Sequence, residues 1–278
     1  MSGAGTGDGE RARAWADLTT VELAAAMADD PVVVLPLAAI EQHGPHLPLS
    51  TDMEIARGLL GEASRRLPDG VPVLILPMQA VGASDEHLGF PGTLSLSAQA
   101  LERSIRAVGA SLAESGVRRL VLFNSHGGNR SVMDSAALAL RRSHSMLVVK
   151  ATYTRFPRPD RVVLPEGEWR HGLHGGALET AMMLHLRPDL VKEEEIDTFP
   201  SLGESLEGDL QHLGPEGAAA FAWTAADLNA SGVTGDAVAA TASTGEHLVA
   251  HYGEVLARVL ADAHVFPVER LSLGNGGA

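Results

Sequence analysis

Residues 31–52 join a short apolar run to a rigid polar loop, and this junction most constrains how the chain can fold. The run Pro31–Leu37 is typical of a buried strand. The loop Glu41–Asp52 then carries two carboxylates and two imidazoles, and Pro45 and Pro48 stiffen it. A rigid loop at the end of a buried strand is where α/β proteins place ligands and chemistry. The alternative is a polar surface loop with two solvated histidines.

Strands and helices alternate along the chain after this loop. Strand patterns are followed by helical patterns with one apolar face, and Asp52 can cap the first of these helices. This alternation predicts a three-layer α/β/α sandwich with a largely parallel central sheet. The further strands are predicted at 71–77, 119–124 and 146–151, and the helices at 21–29, 97–114, 132–142, 175–186 and 246–264, with irregular segments at 152–171 and 200–228.

No repeat or linker divides the chain into several domains. We therefore expect one domain over residues 16–268, a disordered tip at residues 1–15 and a frayed tail at residues 269–278. The formal net charge of −14 argues against a nucleic-acid or anionic-membrane surface. No apolar run approaches the ~20 residues of a membrane span, and no secretory signal is visible. Without cysteine there are no disulfides or thiolate metal sites, which is compatible with the cytoplasmic location that we expect.

Three polar clusters fall at predicted strand ends or helix starts. The first is in the loop after the 31–37 strand, the second follows the 119–124 strand, and the third precedes and enters the 175–186 helix. Because parallel strands share a carboxyl-end edge, we expect the first two clusters to meet there. The residues concerned are Glu41, His43 and Asp52 in the first cluster, His126 in the second, and His174 and Glu179 in the third.

Glu179 lies on an otherwise apolar helix face. It shares that face with Met182, Met183 and Leu186, at offsets of three, four and seven residues. An unpaired buried carboxylate is costly, so Glu179 needs a cation, either an arginine or a metal ion. The alternative is that Glu179 lies at the edge of the stripe near the helix start, where the helix dipole favours a negative charge.

Carboxylates and imidazoles without sulfur suit Zn²⁺, Mn²⁺ or a comparable first-row ion, Fe included. These groups exceed what one catalytic zinc normally takes and fit two divalent ions that share a bridging carboxylate, with water as the nucleophile. No Gly-x-Ser-x-Gly elbow is present, so a serine hydrolase is not expected. A non-hydrolytic alternative is that Gly127 and Gly128 cradle a phosphate at a helix N-terminus. The metal-ligand candidates are Glu41, His43, Asp52, His126 and Glu179.

Four segments resemble the creatininase family in order and spacing. They read Glu-Gln-His-Gly-Pro-His-Leu-Pro-Leu-Ser-Thr-Asp at 41–52, Glu-His-Leu-Gly-Phe-Pro-Gly-Thr at 86–93, Asn-Ser-His-Gly-Gly-Asn at 124–129 and His-Gly-Gly-Ala-Leu-Glu-Thr at 174–180. A weaker match is Gly-Val-Thr-Gly-Asp at 232–236. The resemblance covers residues from about 30 to 265 and implies a dinuclear metal amidohydrolase on an α/β/α fold, commonly a homohexamer.

The resemblance also implies roles for individual residues. Glu41, Asp52 and His126 would hold one ion, and His43 with the shared Asp52 would hold the other. In creatininase a glutamate two residues after the matching histidine completes the second site, but this chain has Gly128 there. Glu179 is then the natural replacement, and creatinine becomes doubtful as the substrate. His174 would be the catalytic proton shuttle to the leaving nitrogen, beside a catalytic, metal-holding Glu179.

The candidate substrate-binding residues are Ser84, His87, Gly127, Gly128 and Trp169. For Ser84 and His87 the alternative is that they fix their loop by hydrogen bonds, and for Trp169 that it anchors an irregular segment. Members of the family open cyclic amides, deformylate aminopyrimidine intermediates or clip a dipeptide in mycofactocin maturation. The resemblance therefore implies a small amide substrate and a homo-oligomer, with a peptidase or a formamide deformylase as alternatives.

Overall fold

A computed structural model describes residues 12–271 and places a five-stranded, all-parallel sheet at the centre of the chain. The strand order is β1-β3-β2-β4-β5, so the two longest apolar strands, β2 and β4, lie next to each other inside the sheet. A separate antiparallel pair, β6 and β7, lies outside this sheet. The strands are β1 Ala12–Ala14, β2 Val32–Leu37, β3 Val73–Ile75, β4 Arg119–Asn124, β5 Leu147–Thr152, β6 Thr198–Phe199 and β7 Gly235–Asp236.

Helices cover both faces of the sheet, which confirms the predicted three-layer α/β/α fold. Apolar residues of α2, α6 and α9 form a core on one face, and those of α3 and α4, with α1 beside them, form the core on the other. The helices are α1 Thr20–Ala26, α2 Thr51–Arg66, α3 Ala98–Glu114, α4 Arg130–His144, α5 Glu166–His171, α6 Ala177–Leu186, α7 Leu202–Ser205, α8 Ala225–Leu228 and α9 Ala242–Val265.

The start of α2 differs from its prediction. The helix begins at Thr51, and Ser50 occupies the N-cap position, so Asp52 is not the cap. Asp52 instead lies in the first turn and is buried. The reason is that the proline loop reaches the helix two residues earlier than expected, since the backbone N–H of Thr51 already donates to the carbonyl of Pro48 at 3.1 Å. The Asp52 carboxylate is thereby free to face the functional cleft.

The N-terminal boundary of the domain also needs correction. The sequence places residues 12–15 in the disordered tip, but Ala12–Ala14 form β1 and pair in parallel with β3. The backbone N–H of Ala12 also donates to Oγ of Ser64 at 3.1 Å. At the other end, Val268–Arg270 form a 3-10 turn that crosses the predicted boundary between the domain and the tail at residues 268 and 269. The rest of the predicted tip and tail, 1–11 and 272–278, lies outside the described residues.

Over residues 12–271, no helix combines the length and the apolar character that crossing a bilayer requires.

Candidate metal centre

The carboxyl ends of β2 and β4 lie side by side and carry the first two polar clusters. In the register of the sheet Leu37 is level with Asn124, and Glu41 and His126 follow these strand ends closely. The Asn124 amide stabilises the turn out of β4 because it donates to the carbonyl of His126 at 2.6 Å. The predicted meeting of these clusters at one edge of the sheet is confirmed.

One group of ligand atoms comes from Glu41, Asp52 and His126. Nδ1 of His126 lies 3.1 Å from Oε1 of Glu41 and 3.7 Å from Oδ2 of Asp52. All three side chains are buried, and their ligand atoms lie within 4.8 Å of one another. Two carboxylates and an imidazole at this separation are a donor set that first-row divalent ions accept.

A second group joins His43 and Glu179. Nε2 of His43 lies 3.8 Å from Oε2 of Glu179, and His174 completes the group. His174 also faces the first group, because its Nδ1 atom is 3.7 Å from Oε1 of Glu41. The structure therefore brings all five predicted ligands to one place and sets His174 between the two groups. The role of Asp52 as the shared ligand stays a prediction.

Several polar atoms of these groups are buried without a hydrogen-bond partner among the described residues. They are both carboxylate oxygens of Glu41, Oδ2 of Asp52 and Nε2 of His43. Buried polar atoms are normally hydrogen-bonded, because an unpaired one costs free energy. These atoms share a small volume, so cations bound there would satisfy them together. Their oxygen and nitrogen chemistry fits Zn²⁺ or Mn²⁺.

The electrostatics of the cluster also favour positive charge. Burial is the largest single influence on His126 and lowers its pKa, but the carboxylates of Glu41, Asp52 and Glu86 together outweigh burial and raise that pKa to about 10. Burial, and next the carboxylate of Glu41, raise the pKa of Asp52 well above its usual range. Without metal, the cluster therefore holds protons where a cation would bind.

Backbone carbonyls orient the imidazole rings. Nδ1 of His43 lies 3.2 Å from a carbonyl of its own loop, and Nε2 of His126 lies 2.8 Å from the carbonyl of Ala83. Each ring donates one N–H to the backbone and presents its other nitrogen to the ligand group. His174 follows the same pattern, since its Nε2 atom is 2.7 Å from the carbonyl of Gln42.

Gln42 holds His87 in the opposite way to the other rings, because the ring nitrogen that it contacts accepts a hydrogen bond instead of donating one. The Gln42 amide nitrogen donates to the carbonyl of Gly232 at 2.6 Å, and its oxygen accepts from the N–H of Gly44 at 2.9 Å. The amide nitrogen therefore donates to Nδ1 of His87 at 2.9 Å. Burial lowers the pKa of His87 to about 3, so the neutral ring carries its proton on Nε2, 3.5 Å from Oε1 of Glu41. Although His87 lines the cleft, these contacts favour its alternative role of fixing the loop.

Gly175 separates His174 from the helix that carries Glu179. Its φ is +67°, and a Cβ there would lie 2.4 Å from Cγ1 of Val233, so only glycine fits. The helix α6 begins two residues later, at Ala177. His174 thus stands in the loop while Glu179 points inward from the first turn, as predicted.

Tyr153 contacts the centre and was missed from the sequence. It is buried directly after β5, and its hydroxyl donates to Oε1 of Glu179 at 3.2 Å. The N–H of Gly175 donates to the other carboxylate oxygen at 2.7 Å. The signal that could have identified Tyr153 is its place at the end of the third neighbouring parallel strand.

Glu168 was also missed, and its buried carboxylate ties the start of α6 to β7 beside the His174 loop. Its two oxygens accept from the N–H groups of Ala177 and Asp236, each at 2.6 Å. A Cβ on Gly172 or Gly176 would lie only 2.2 or 2.3 Å from Oε1 of Glu168. Burial raises the pKa of Glu168. No spacing in the sequence signals this carboxylate, because its partners are backbone groups 9 and 68 residues away.

The ligand groups open onto a cleft of about 800 Å³. Four of the predicted substrate-binding residues line it, namely His87, Gly127, Gly128 and Trp169. Trp169 is half-buried, and the guanidinium carbon of Arg158 lies 4.9 Å from the centre of its ring. A cationic group over an indole face is a stabilising contact, so Trp169 forms part of a structured wall.

The fifth of these residues, Ser84, does not line the cleft. It is fully buried and is absent from the residues that line the cleft. Its Oγ lies 3.3 Å from Nε2 of His126, on the side of the ring away from the ligand group. Ser84 is therefore placed to orient His126 rather than to contact a substrate, because the turn after Gly82 packs beneath that ring.

Gly128 occupies a position that admits no side chain. A Cβ there would lie 2.3 Å from the carbonyl of Ala83, 2.5 Å from Nε2 of His126 and 2.6 Å from Oε1 of Glu86. A glutamate like that of creatininase would collide with these atoms. The packing around His126 therefore requires the glycine that this chain has at position 128 in place of the creatininase glutamate.

The chain is similar to known proteins of one family. The creatininase family model, described as creatinine amidohydrolase, matches residues 16–260. The chain belongs to the creatininase family. The predicted reaction class, metal-dependent hydrolysis of an amide bond, is confirmed by this membership, and it speaks against the phosphate-binding alternative for Gly127 and Gly128.

Two curated relatives of this creatininase-family chain carry different names. The mycofactocin precursor peptide peptidase of Mycolicibacterium smegmatis is 34% identical over 225 residues, which is 79% of this chain and 80% of the relative. The creatinine amidohydrolase of Pseudomonas putida is 32% identical over 188 residues, which is 62% of this chain and 71% of the relative. Family membership therefore does not decide whether the substrate of this chain resembles that of the peptidase or that of the creatinine amidohydrolase.

Solved structures of creatininase share the fold. A manganese form matches with a TM-score of 0.74 and 28% identity, over 91% of this chain and 99% of that one. A variant with two zinc ions matches with a TM-score of 0.70 and 26% identity, over 91% and 98%. The metals named for these relatives are the two predicted from the donor set of this chain.

Proposed function

We propose that this protein is a two-metal hydrolase that cleaves the C–N bond of a peptide or similar extended amide, in preference to creatinine. The observation that carries the two-metal centre is the set of buried, unpaired carboxylate and imidazole atoms that converge beneath the cleft. Without bound cations, the unpaired buried atoms of such a cluster would raise the free energy of the folded protein. One ion beside Glu41, Asp52 and His126 and a second beside His43 and Glu179 would satisfy it.

The preference for an extended amide rests on the size of the cleft and on Gly128. The cleft of about 800 Å³ lies within the roughly 300–1,000 Å³ of pockets that hold drug-sized ligands, whereas creatinine is a single small ring. The creatininase glutamate that Gly128 replaces cannot be accommodated here. A peptidase among the relatives with the longest matches supports the same preference.

The chain's own residues divide the chemical work between holding and proton transfer. Divalent ions, when bound at such a centre, polarise the amide carbonyl and make a water more acidic. His174 anchors Nε2 on a backbone carbonyl, which leaves Nδ1 facing the centre. Nδ1 takes the proton that the attacking water gives up and delivers it to the amide nitrogen as the C–N bond breaks. Trp169 and the Gly127–Gly128 turn bound the space that receives the substrate.

Metal analysis together with a substrate panel tests this proposal. The purified protein should hold about two divalent ions per chain, lose activity with a chelator and regain it with Zn²⁺ or Mn²⁺. On a panel of short peptides, formamides and cyclic amides, peptides should be cleaved fastest. Turnover by the metal-free protein would overturn the metal centre, and fastest turnover of creatinine or a formamide would overturn the substrate preference.

We also propose that the chain assembles as a closed homo-oligomer with a dimer as its minimum unit. The support is the long irregular excursion between Pro200 and Leu228, which gives the chain more irregular surface than a compact monomer needs. Light scattering at micromolar concentration tests assembly, and a monomer mass would contradict it.

A further inference from the structure

A second cavity adjoins the cleft of the metal centre. It has a volume of about 880 Å³. Six residues line both spaces, namely Gly127, Gly128, Arg130, Arg155, Phe156 and Glu216. A substrate whose amide lies over the ligand groups can therefore extend along these shared residues into the adjoining cavity. What the adjoining cavity can bind depends on its charged side chains.

Most charged side chains of this cavity neutralise one another in pairs. Arg130 contacts Glu216 at 3.0 Å, and Lys150 contacts Asp134. Arg155 is different, because no ion pair joins it to any residue between 12 and 271. The cavity thus carries one uncompensated positive charge on a chain whose formal net charge is −14.

Arg155 is tied in sequence to the metal centre. It ends the 3-10 turn Tyr153–Arg155 that follows β5, and the Tyr153 hydroxyl at the other end of that turn donates to Glu179. Arg155 also lines both the cleft and the adjoining cavity. The other three arginines of the cleft are occupied, Arg130 by Glu216, Arg158 by Glu166 and Arg170 by Glu207.

We propose that Arg155 binds a carboxylate of the substrate in the adjoining cavity while the scissile amide lies at the metal centre. A free guanidinium recognises a carboxylate with two parallel hydrogen bonds. One uncompensated positive charge matches one carboxylate and not a phosphate dianion, which would face Glu216 and Asp134 as well. This inference rests on the proposed amide hydrolysis and narrows its substrates to amides that also carry a carboxylate, such as peptides with a free C-terminus.

Matched substrates test this site. The metal-loaded wild-type protein is assayed with a series of short peptides, each prepared with a free C-terminal carboxylate and with a C-terminal amide. Wild type should favour the free acid by ~10-fold or more in kcat/KM, as expected for a charge-assisted hydrogen bond that is partly exposed to water. Arg155→Ala should lose this preference through a higher KM for the acid and should cleave the amide form as wild type does. Arg161→Ala removes an exposed arginine of the same segment outside both cavities and should keep the preference.

The outcomes separate this site from the proposed function. Equal cleavage of both forms by wild type, or a preference that survives Arg155→Ala, overturns the carboxylate site and leaves amide hydrolysis standing. If no peptide is cleaved, the two forms are compared as inhibitors of whichever amide the enzyme does hydrolyse. Equal inhibition constants in wild type and Arg155→Ala then overturn the site. A metal-loaded protein that hydrolyses no amide contradicts the proposed function instead.

Discussion

Nε2 of His43 faces Oε2 of Glu179 at 3.8 Å, and this pair stands where the second ion of the proposed centre would bind. The creatininase glutamate is missing at Gly128, so we expect Glu179 on α6 to supply the carboxylate instead. A histidine nitrogen without a hydrogen-bond partner and a carboxylate at this separation accept a cation without rearrangement of the backbone.

Replacing Glu179 by glutamine should remove one ion from the centre. The amide keeps the size of the side chain but lacks its charge, so the metal content should fall from about two ions per chain to about one. Elemental analysis and kcat, measured on the same sample, check this. Glu193→Gln, an exposed change of the same chemistry, is the control. A Glu179→Gln protein that keeps both ions would contradict the ligand role.

Replacing His174 by alanine should leave both ions bound while kcat falls. A proton delivered to the leaving nitrogen typically accelerates such a reaction by ~10²–10⁴-fold, and that factor should be lost with KM little changed. His174 lies near both ligand groups, so the metal content must be measured too. Loss of an ion from His174→Ala would make it a ligand and leave the shuttle role without support.

Gly128 and Gly127 offer a matched pair of substitutions. A Cβ on Gly128 would collide with the Ala83 carbonyl and with the ring of His126, whereas a Cβ on Gly127 meets nothing within 4 Å. Gly128→Ala should cost about 1–3 kcal/mol in the free energy of unfolding and weaken the metal site through His126. Gly127→Ala should change neither. Thermal unfolding and metal titration check this, and equal behaviour of the two variants would refute the packing argument.

The ordered elements of the sheet were predictable because burial leaves a pattern. Apolar runs such as 119–124 coincide with the observed strand β4, and periodic faces marked the long helices. β1 was not predictable, because Ala-Arg-Ala has no strand pattern and becomes a strand only through pairing with β3. A three-residue edge strand is defined by its neighbour, not by its own composition.

The candidate metal ligands, and their convergence at one place, were predictable because their side-chain types carry the chemistry. Glu168, Tyr153 and the buried place of Ser84 were not, since their roles arise from tertiary packing. Glu168 accepts hydrogen bonds from backbone groups, which any residue can supply, so no motif marks it. Ser84 lies in a polar loop that suggested a cleft residue, but the turn carries it under His126.

Binding of metal should release protons over an unusually wide range of pH. The carboxylates around His126, chiefly that of Glu41, together outweigh burial and raise its pKa to about 10, so the metal-free ring is protonated at pH 7 and must lose its proton to bind a cation. Calorimetry with Mn²⁺ in buffers of different ionisation enthalpy should find this release at pH 7 and still at pH 9. A histidine with its ordinary pKa of about 6.5 would be deprotonated at pH 9, so release that ends by pH 8 would contradict the raised pKa.

Glu168 is expected to act on catalysis through His174. Glutamine at this position can accept one of the two backbone hydrogen bonds, but its amide group faces the second N–H donor, so the His174 loop should shift. A misplaced catalytic group loses rate steeply, and we expect Glu168→Gln to lower kcat by ~10-fold or more with its metal content unchanged. Glu194→Gln, an exposed change of the same chemistry away from the cleft, should have no such effect.

A double-mutant cycle separates this positioning role from a purely structural one. If Glu168 works by holding His174, then adding Glu168→Gln to His174→Ala should cost no further kcat, because the group that it positions is already gone. Both proteins with Glu168→Gln should still show the loss of about 1–3 kcal/mol in unfolding free energy that a broken buried hydrogen bond causes. In this cycle Glu168→Gln therefore lowers the unfolding free energy of both proteins, whereas it lowers kcat only when His174 is present. Rate losses that multiply in the double variant would mean that Glu168 stabilises the fold without positioning His174.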